Sequence, residues 1–415
     1  MHKLVLIIFL SNLFGMHAVS AQMDNVRFIQ PPVIIPIKHH LSHIQLKDFD
    51  GDGKIDLVGK IIEDGDRSSS VSYQAVCVWR NVSSIEKINF DAPEAYGGRR
   101  KTGILSLSAQ DINEDSRSDL IVFSHRGDIE VYINRSEPGV FRFDKHRIPS
   151  LPYTFVALFD LELADMNNDG KIDMILSYGI SSRSGHPTES VFAILKNTGA
   201  GHTVSFEPLY LEQKSHINKL SIGDINGDGQ LDLVTFDEQD DTLDIRRNLS
   251  TKTRIQFSPP EVRTLKNDGI LSARVTDINK DGKADILILS EHRLTVLKNQ
   301  SRSRWIDFSE PQVLFNDQFF VSLIVPALVE EIDGDGRPDI IARDGENIIA
   351  IENLSKNDDI QFNARVRRIH TGRYPGMVAF ADINGDHRKN IVSISQPQSA
   401  MNGAIVVLVR SIEGR

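Results

Sequence analysis

The chain has 415 residues, a formal net charge of −10, 40% hydrophobic residues and one cysteine. A single cysteine excludes an internal disulfide framework, and the acidic balance argues against a nucleic-acid partner. Beyond the N-terminus no apolar run is long enough to span a membrane, so the mature chain is expected to be a soluble monomer.

The first segment carries Lys3, the apolar run LVLIIFL and then Ala18-Val19-Ser20-Ala21. These are the three parts of a secretory signal peptide, with cleavage expected after Ala21. A membrane anchor is the competing reading, but the apolar core is short and small residues sit where a signal peptidase cuts. Residues 22–415 are then one domain, secreted or periplasmic.

An extended segment with a phenylalanine follows (VRFIQPPVII), and after it the first of seven acidic loops of nine residues. The loops are DFDGDGKID (48–56), DINEDSRSD (111–119), DMNNDGKID (165–173), DINGDGQLD (224–232), DINKDGKAD (277–285), EIDGDGRPD (331–339) and DINGDHRKN (382–390). Positions 1, 3, 5 and 9 always carry oxygen. They are Asp48, Asp50, Asp52 and Asp56; Asp111, Asn113, Asp115 and Asp119; Asp165, Asn167, Asp169 and Asp173; and Asp224, Asn226, Asp228 and Asp232. The last three sets are Asp277, Asn279, Asp281 and Asp285; Glu331, Asp333, Asp335 and Asp339; and Asp382, Asn384, Asp386 and Asn390. A hard cation with six to eight oxygen ligands needs such a cluster, and calcium fits best. No soft ligand is present to favour zinc or copper. Up to seven Ca2+ ions are expected, the fourth, fifth, third and first loops being the most regular.

Position 6 is glycine in five loops and is Ser116 and His387 in the second and seventh. Position 7 is basic or Gln, so its side chain is expected to point away and its carbonyl to act as a ligand. An EF-hand is excluded, because position 12 is Gly59, Leu176 or Thr235 rather than Glu, and the flanks read as strands. A single loop of this kind could be an Asp/Asn/Gly turn that binds nothing; seven in register argue against that.

Phenylalanines recur once per unit at 28, 90, 143, 206, 257, 308 and 362, each before an acidic loop. Two further strand-like runs separate loop from phenylalanine, as in ADILILS and RLTVLKN. That makes about four strands per unit. The fold class is therefore all-β: a seven-bladed β-propeller with four-stranded blades. The first Phe segment precedes any loop and the chain stops where an eighth would begin. The N-terminal strand should close the last blade and remove an exposed edge.

The pattern D-x-[DN]-x-D-G-x-x-D, then a strand ending in Asn, then Phe, resembles FG-GAP or VCBS repeats of the integrin-alpha type, as in bacterial secreted proteins. The Asn is at 81, 134, 197, 248, 299 and 353. The resemblance implies calcium at positions 1, 3, 5 and 9 of each loop, but no single activity, since such propellers include adhesion receptors, lectins and polysaccharide lyases. Five of these Asn begin Asn-x-Ser triplets, which read as structural. Cys77 reads as a core residue.

Ligand contacts are expected at the blade-joining loops around the channel mouth, from His40, Arg100, Lys101, His216, Asp268, Arg373 and Tyr374. Arginine forks and aromatic faces there suit an anionic or sugar ligand. An ordinary charged surface would look the same. Two long connections, from Glu63 and from Gly179, are further candidates. Arg126-Gly127-Asp128 reads as a hairpin turn. No nucleophile motif, zinc motif or phosphate loop occurs. Two functions remain. One is a calcium-stabilised binding or adhesion module for a glycan or protein surface. The other is a polysaccharide lyase, with His40, His216 or Tyr374 as base and Arg100 or Arg373 neutralising the substrate carboxylate.

Overall fold

The computed structural model describes residues 28–410 except 30, 38, 64–72, 101–102, 125–127, 149–154, 182–186, 202, 215–216, 238–239, 266–269, 291–292, 303–304, 317–327, 345–346, 357–358, 364, 372–374 and 396–402. Residues 1–21, expected to be a signal peptide, lie outside the described residues.

Each repeat folds into a four-stranded antiparallel meander, because short polar turns separate runs that alternate in side-chain direction. In blade 1 the strands are His40–Lys47, Asp56–Glu63, Tyr73–Trp79 and Glu94–Arg100, paired in that order. The next five blades span 104–148, 155–214, 217–264, 270–316 and 328–370. Blade 7 takes Pro375–Ala381, Asn390–Ser395 and Ala404–Leu408 from the C-terminal end. Its fourth strand is Val33–Pro36 from the N-terminal end, in antiparallel register with Val33 opposite Val407 and Pro36 opposite Ala404. The expected closure is what the chain does. A bridge from Phe28 to Arg410 extends it.

The second strand of a blade is buried on both faces, which explains its nearly unbroken apolar sequence. In Asp119–Ser124 every residue is buried. Leu120 and Val122 pack towards blade 1, with Val58, Val76 and Val78. Ile121 and Phe123 pack towards blade 3, with Met174, Leu176 and Tyr178. The core of the molecule is thus a ring of apolar layers between successive blades, including one between blades 6 and 7 and one between blades 7 and 1. Cys77 lies in the last of these, buried as a core residue.

Innermost strands share a local device. Six of the seven carry a register shift near the same place, for example between Ser42 and Ile44 and between Ile270 and Ser272. A bulge adds one residue and bends the strand, here along the channel wall.

Candidate metal centres

The acidic loops join the first and second strands of every blade, so all seven lie on one face of the ring. Their conformation is shared. In loop 1 the Asp48 carboxylate accepts from the amides of Gly51 (2.8 Å) and Gly53 (2.9 Å), and Asp50 accepts from Asp52 N (3.1 Å). Asp52 in turn accepts from Lys54 N (2.8 Å). Loops 4 and 7 repeat this wrapping around Asp224 and Asp382. Positions 4 and 6 are both left-handed in all seven loops, whatever residue stands there. Glycine is the residue that suits this, but Ser116 (φ 67°) and His387 (φ 62°) take the same turn, as do Glu114 and Lys280 at position 4. The second and seventh loops, which lack the expected glycine, therefore keep the common backbone.

Position 9 is 0% exposed in every loop. In the first six loops its carboxylate ties the loop to the blade, and in the seventh the Asn390 amide oxygen accepts from Ile383 N (2.8 Å). Asp56 accepts from Phe49 N (3.0 Å) with one oxygen and from Asn81 N (2.9 Å) with the other. Asp119, Asp173, Asp232, Asp285 and Asp339 do the same with their own loop and their own Asn. Burial pushes these carboxyls up. Asp56 and Asp119 reach about 7 and Asp339 about 8, against the pull of two backbone donors, with the other loop carboxylates adding to the rise. Stacked negative charge of this kind is what a divalent cation relieves.

The repeated Asn is the other half of the device. Each Asn side chain donates to the carbonyl just before position 9 of its own loop. It also donates to the position-2 carbonyl of the preceding blade's loop. Asn134 reaches Phe49 O (2.8 Å), Asn197 reaches Ile112 O (2.9 Å) and Asn248 reaches Met166 O (2.8 Å). Asn299 and Asn353 continue the series, and Asn81 closes it on Ile383 O of blade 7 (2.9 Å). In blade 7 Arg410 replaces the Asn and reaches Ile332 O (2.8 Å) and Asp333 O (3.1 Å). Seven inter-blade links thus circle the ring. The Asn-x-Ser serines complete the hairpin: Ser301 N donates to Asn299, and its hydroxyl spans to Asp307. The Asn and Ser of these triplets are buried and hydrogen-bonded within the blade, the structural role expected of them.

The donor sets suit a hard cation. Ligand atoms of Asp48, Asp50 and Asp56 lie within 4.8 Å of one another, and so do those of Glu331, Asp333 and Asp335. Position 3 is buried throughout, and Asn167 Oδ1, Asp333 Oδ2 and Asn384 Oδ1 are buried with no hydrogen-bond partner. Every donor is oxygen. One expectation fails in loop 6: the position-7 side chain does not point away. Arg337 folds back onto Asp335, since its Nε also finds Asn353 O at 2.8 Å and that anchors the guanidinium over the loop.

Of the channel-mouth candidates, His40 begins the inner strand of blade 1, half-buried, with Nδ1 unpartnered. Arg100 ends the outer strand of that blade, opposite Gln74, and its side chain is outside the described residues. Lys101, His216, Asp268, Arg373 and Tyr374 are outside them too, as are 64–72 of the first long connection, 182–186 of the second, and Arg126-Gly127; the rest of the second connection is not loop but lies in the strands Asp173–Ser181 and Pro187–Asn197. Among the described residues no cluster joins these candidates. A different polar pair faces the channel side. Glu162 of blade 3 lies 4.0 Å from Arg274 of blade 5. Burial raises its carboxyl to about 7, with Arg274 opposing and Asp160 adding to the rise. Sequence spacing gave no hint of this pair, because it joins non-neighbouring blades.

Comparison with known proteins agrees with this architecture. Three overlapping segments, 111–176, 165–235 and 224–288, match the FG-GAP-like repeat. No curated protein sequence matches the chain. Among solved structures, a chain of the crystal structure of BBS1N in complex with ARL6DN is similar at 10% identity over 91% of this chain and 98% of that one, with a TM-score of 0.49. Raptor from Chaetomium thermophilum matches at 12% identity and a TM-score of 0.50, over 95% of this chain and 30% of that one. At 12% identity the Raptor match speaks for the fold alone. This chain folds as a β-propeller of seven four-stranded blades, and residues 111–288 of it carry matches to the FG-GAP-like repeat.

Proposed function

We propose that the protein is a secreted or periplasmic binding module whose ring is stabilised by calcium, and that it recognises a glycan or a protein surface. The observation that carries this reading is the closed ring itself. Seven blades, held by the Asn relay and by an apolar layer at each junction, form a rigid platform that presents short connections on two faces. Binding residues concentrate on loops held by such scaffolds. In this reading the cations are structural. Positions 1, 3, 5 and 9 would hold the ion, a reading supported by the convergence of 1, 3 and 9 in loop 1 and of 1, 3 and 5 in loop 6, and the ion would neutralise carboxylates that otherwise repel.

The test is a screen of calcium-loaded protein against immobilised glycans, acidic polysaccharides and extracellular proteins, with unsaturated product read by absorbance in the same wells. Retention without product supports the module. Product would replace it with the lyase reading. No retention on any surface contradicts it.

A further inference from the structure

Trp305 is 80% exposed, more than any other large hydrophobic side chain among the described residues. An indole left in water on a loop contributes nothing to the core, and exposed aromatics of this kind mark contact sites. Its place in the repeat sharpens the point. In each of six blades a ten-residue hairpin runs from the recurring Asn to the Phe. The residue that stands where Trp305 stands is Lys87, Val140, Thr203, Arg254 or Asp359 in the other five. The hairpin geometry, a two-way backbone pairing with Arg302 at 3.0 Å, is the same for Thr251 with Arg254 and for Lys356 with Asp359. The turn therefore does not need an aromatic residue. Blade 5 alone has one.

Trp305 lines an open cleft of about 690 Å³ with Lys283, Lys298, Gln300, Arg302 and Asp307, within the range of about 300–1,000 Å³ that ligand sites occupy. Asp281 also borders the cleft, but its oxygens accept from Asn279 Nδ2 and Lys283 N inside the loop. Asp307 lies 3.4 Å from Arg263. Lys283 and Arg302 have no ion pair among the described residues. The cleft thus offers a flat aromatic face and cations in excess, in a chain whose net charge is −10.

We propose that this cleft binds an acidic oligosaccharide, with one sugar ring stacked on Trp305 and ring carboxylates held by Lys283 and Arg302. Stacking on one face and charge at its edge suit a ring that is apolar on its flat side and anionic at its rim. An unlinked anion would leave the indole unused, and a neutral sugar would leave the cations unused. Lys283 belongs to loop 5, so a cation there also fixes the floor of the cleft. The inference rests on the binding-module reading and adds its site and its ligand class.

The chain has two tryptophans, and the other, Trp79, is buried. Emission of Trp305 therefore reports on the cleft. Calcium-loaded protein is titrated with a hexamer of galacturonate, with a neutral galactose hexamer and with vesicles containing phosphatidylserine. The expected result is a blue shift with the acidic hexamer alone, weakened by added salt. By calorimetry, Trp305→Ala should lower its affinity at least tenfold and Arg302→Ala several-fold, with melting temperatures unchanged. No shift with the acidic hexamer, equal binding of the neutral one, or a shift with vesicles alone would overturn the proposal. If immobilised glycans or proteins retain Trp305→Ala as they retain the parent, this site is wrong and the module reading stands. If neither parent nor variant is retained anywhere, both fail.

Discussion

At the scale of single residues, the loops reveal what composition conceals. Glycine at position 6 was legible, because only glycine takes a left-handed turn without cost. Position 4 was not, because Glu114, Asn168 and Lys280 stand there and still take positive φ. The surrounding hydrogen bonds to the first carboxylate force the turn on any residue. It follows that Ser116 and His387 carry backbone strain, at about 1 kcal/mol each. Ser116→Gly and His387→Gly should each raise stability by about 0.5–1 kcal/mol in urea melts; a loss of stability would show that those side chains do more than tolerate the turn. Glu162 makes a second residue-scale case. Its folded value, near 7, lies above the unfolded value of about 4.3, so the folded state holds the proton longer. The stability this gives is complete below about pH 4 and is lost as pH rises through 7. Glu162→Gln should match the parent at about pH 4 and exceed it at pH 9 by about 1 kcal/mol. That is less than the full shift would give, because 29% of the side chain meets water. Equal stability of the two proteins at both pH values would contradict this.

At the scale of elements, the unit is a loop, a hairpin and the Asn that joins them. The Asn was visible in the sequence as a regular marker, and its structural role was expected. Its partner was not, because Asn134 and Phe49 are 85 residues apart and Asn81 and Ile383 are 302 apart. No local pattern encodes such a link. Asn299→Ala would strip two side-chain donations and leave Ile225 O and Ala284 O buried without them. The expected cost is about 2–3 kcal/mol, with an exposed substitution such as Gln300→Ala as the neutral control. If Asn299→Ala proved as mild as Gln300→Ala, the relay would not be holding the blades. The cleft at Trp305 shows the complementary limit. A tryptophan is plain in the sequence, but whether it is buried depends on packing that the repeat pattern does not state.

At the scale of the whole molecule, the number of blades and the mode of closure were both readable, since seven loops and a leading Phe strand leave one arrangement without an open edge. Closure is also where the repeat departs from itself. Blade 7 uses Arg410 for Asn and Asn390 for Asp, and its fourth strand comes from the other end of the chain. Removing residues 22–37 should expose the edge of Ala404–Leu408, giving a lower melting temperature and self-association on a sizing column; an unchanged monomer would mean the strand is dispensable. The mouth of the channel was the least legible part, since its side chains come from blade-joining segments that carry no repeat signal.

The ring should melt as a calcium-dependent unit, since each ion that binds only the folded state adds about 2.7 kcal/mol at a hundredfold excess over its dissociation constant. The most direct measurement is thermal unfolding of the mature protein in millimolar calcium and after exhaustive chelation, with Asp224→Ala beside it. The account predicts a fall of more than about 10 °C on chelation and a partial fall for Asp224→Ala in calcium. A melt that does not move when calcium is withdrawn would contradict the assignment of the seven acidic loops as cation sites.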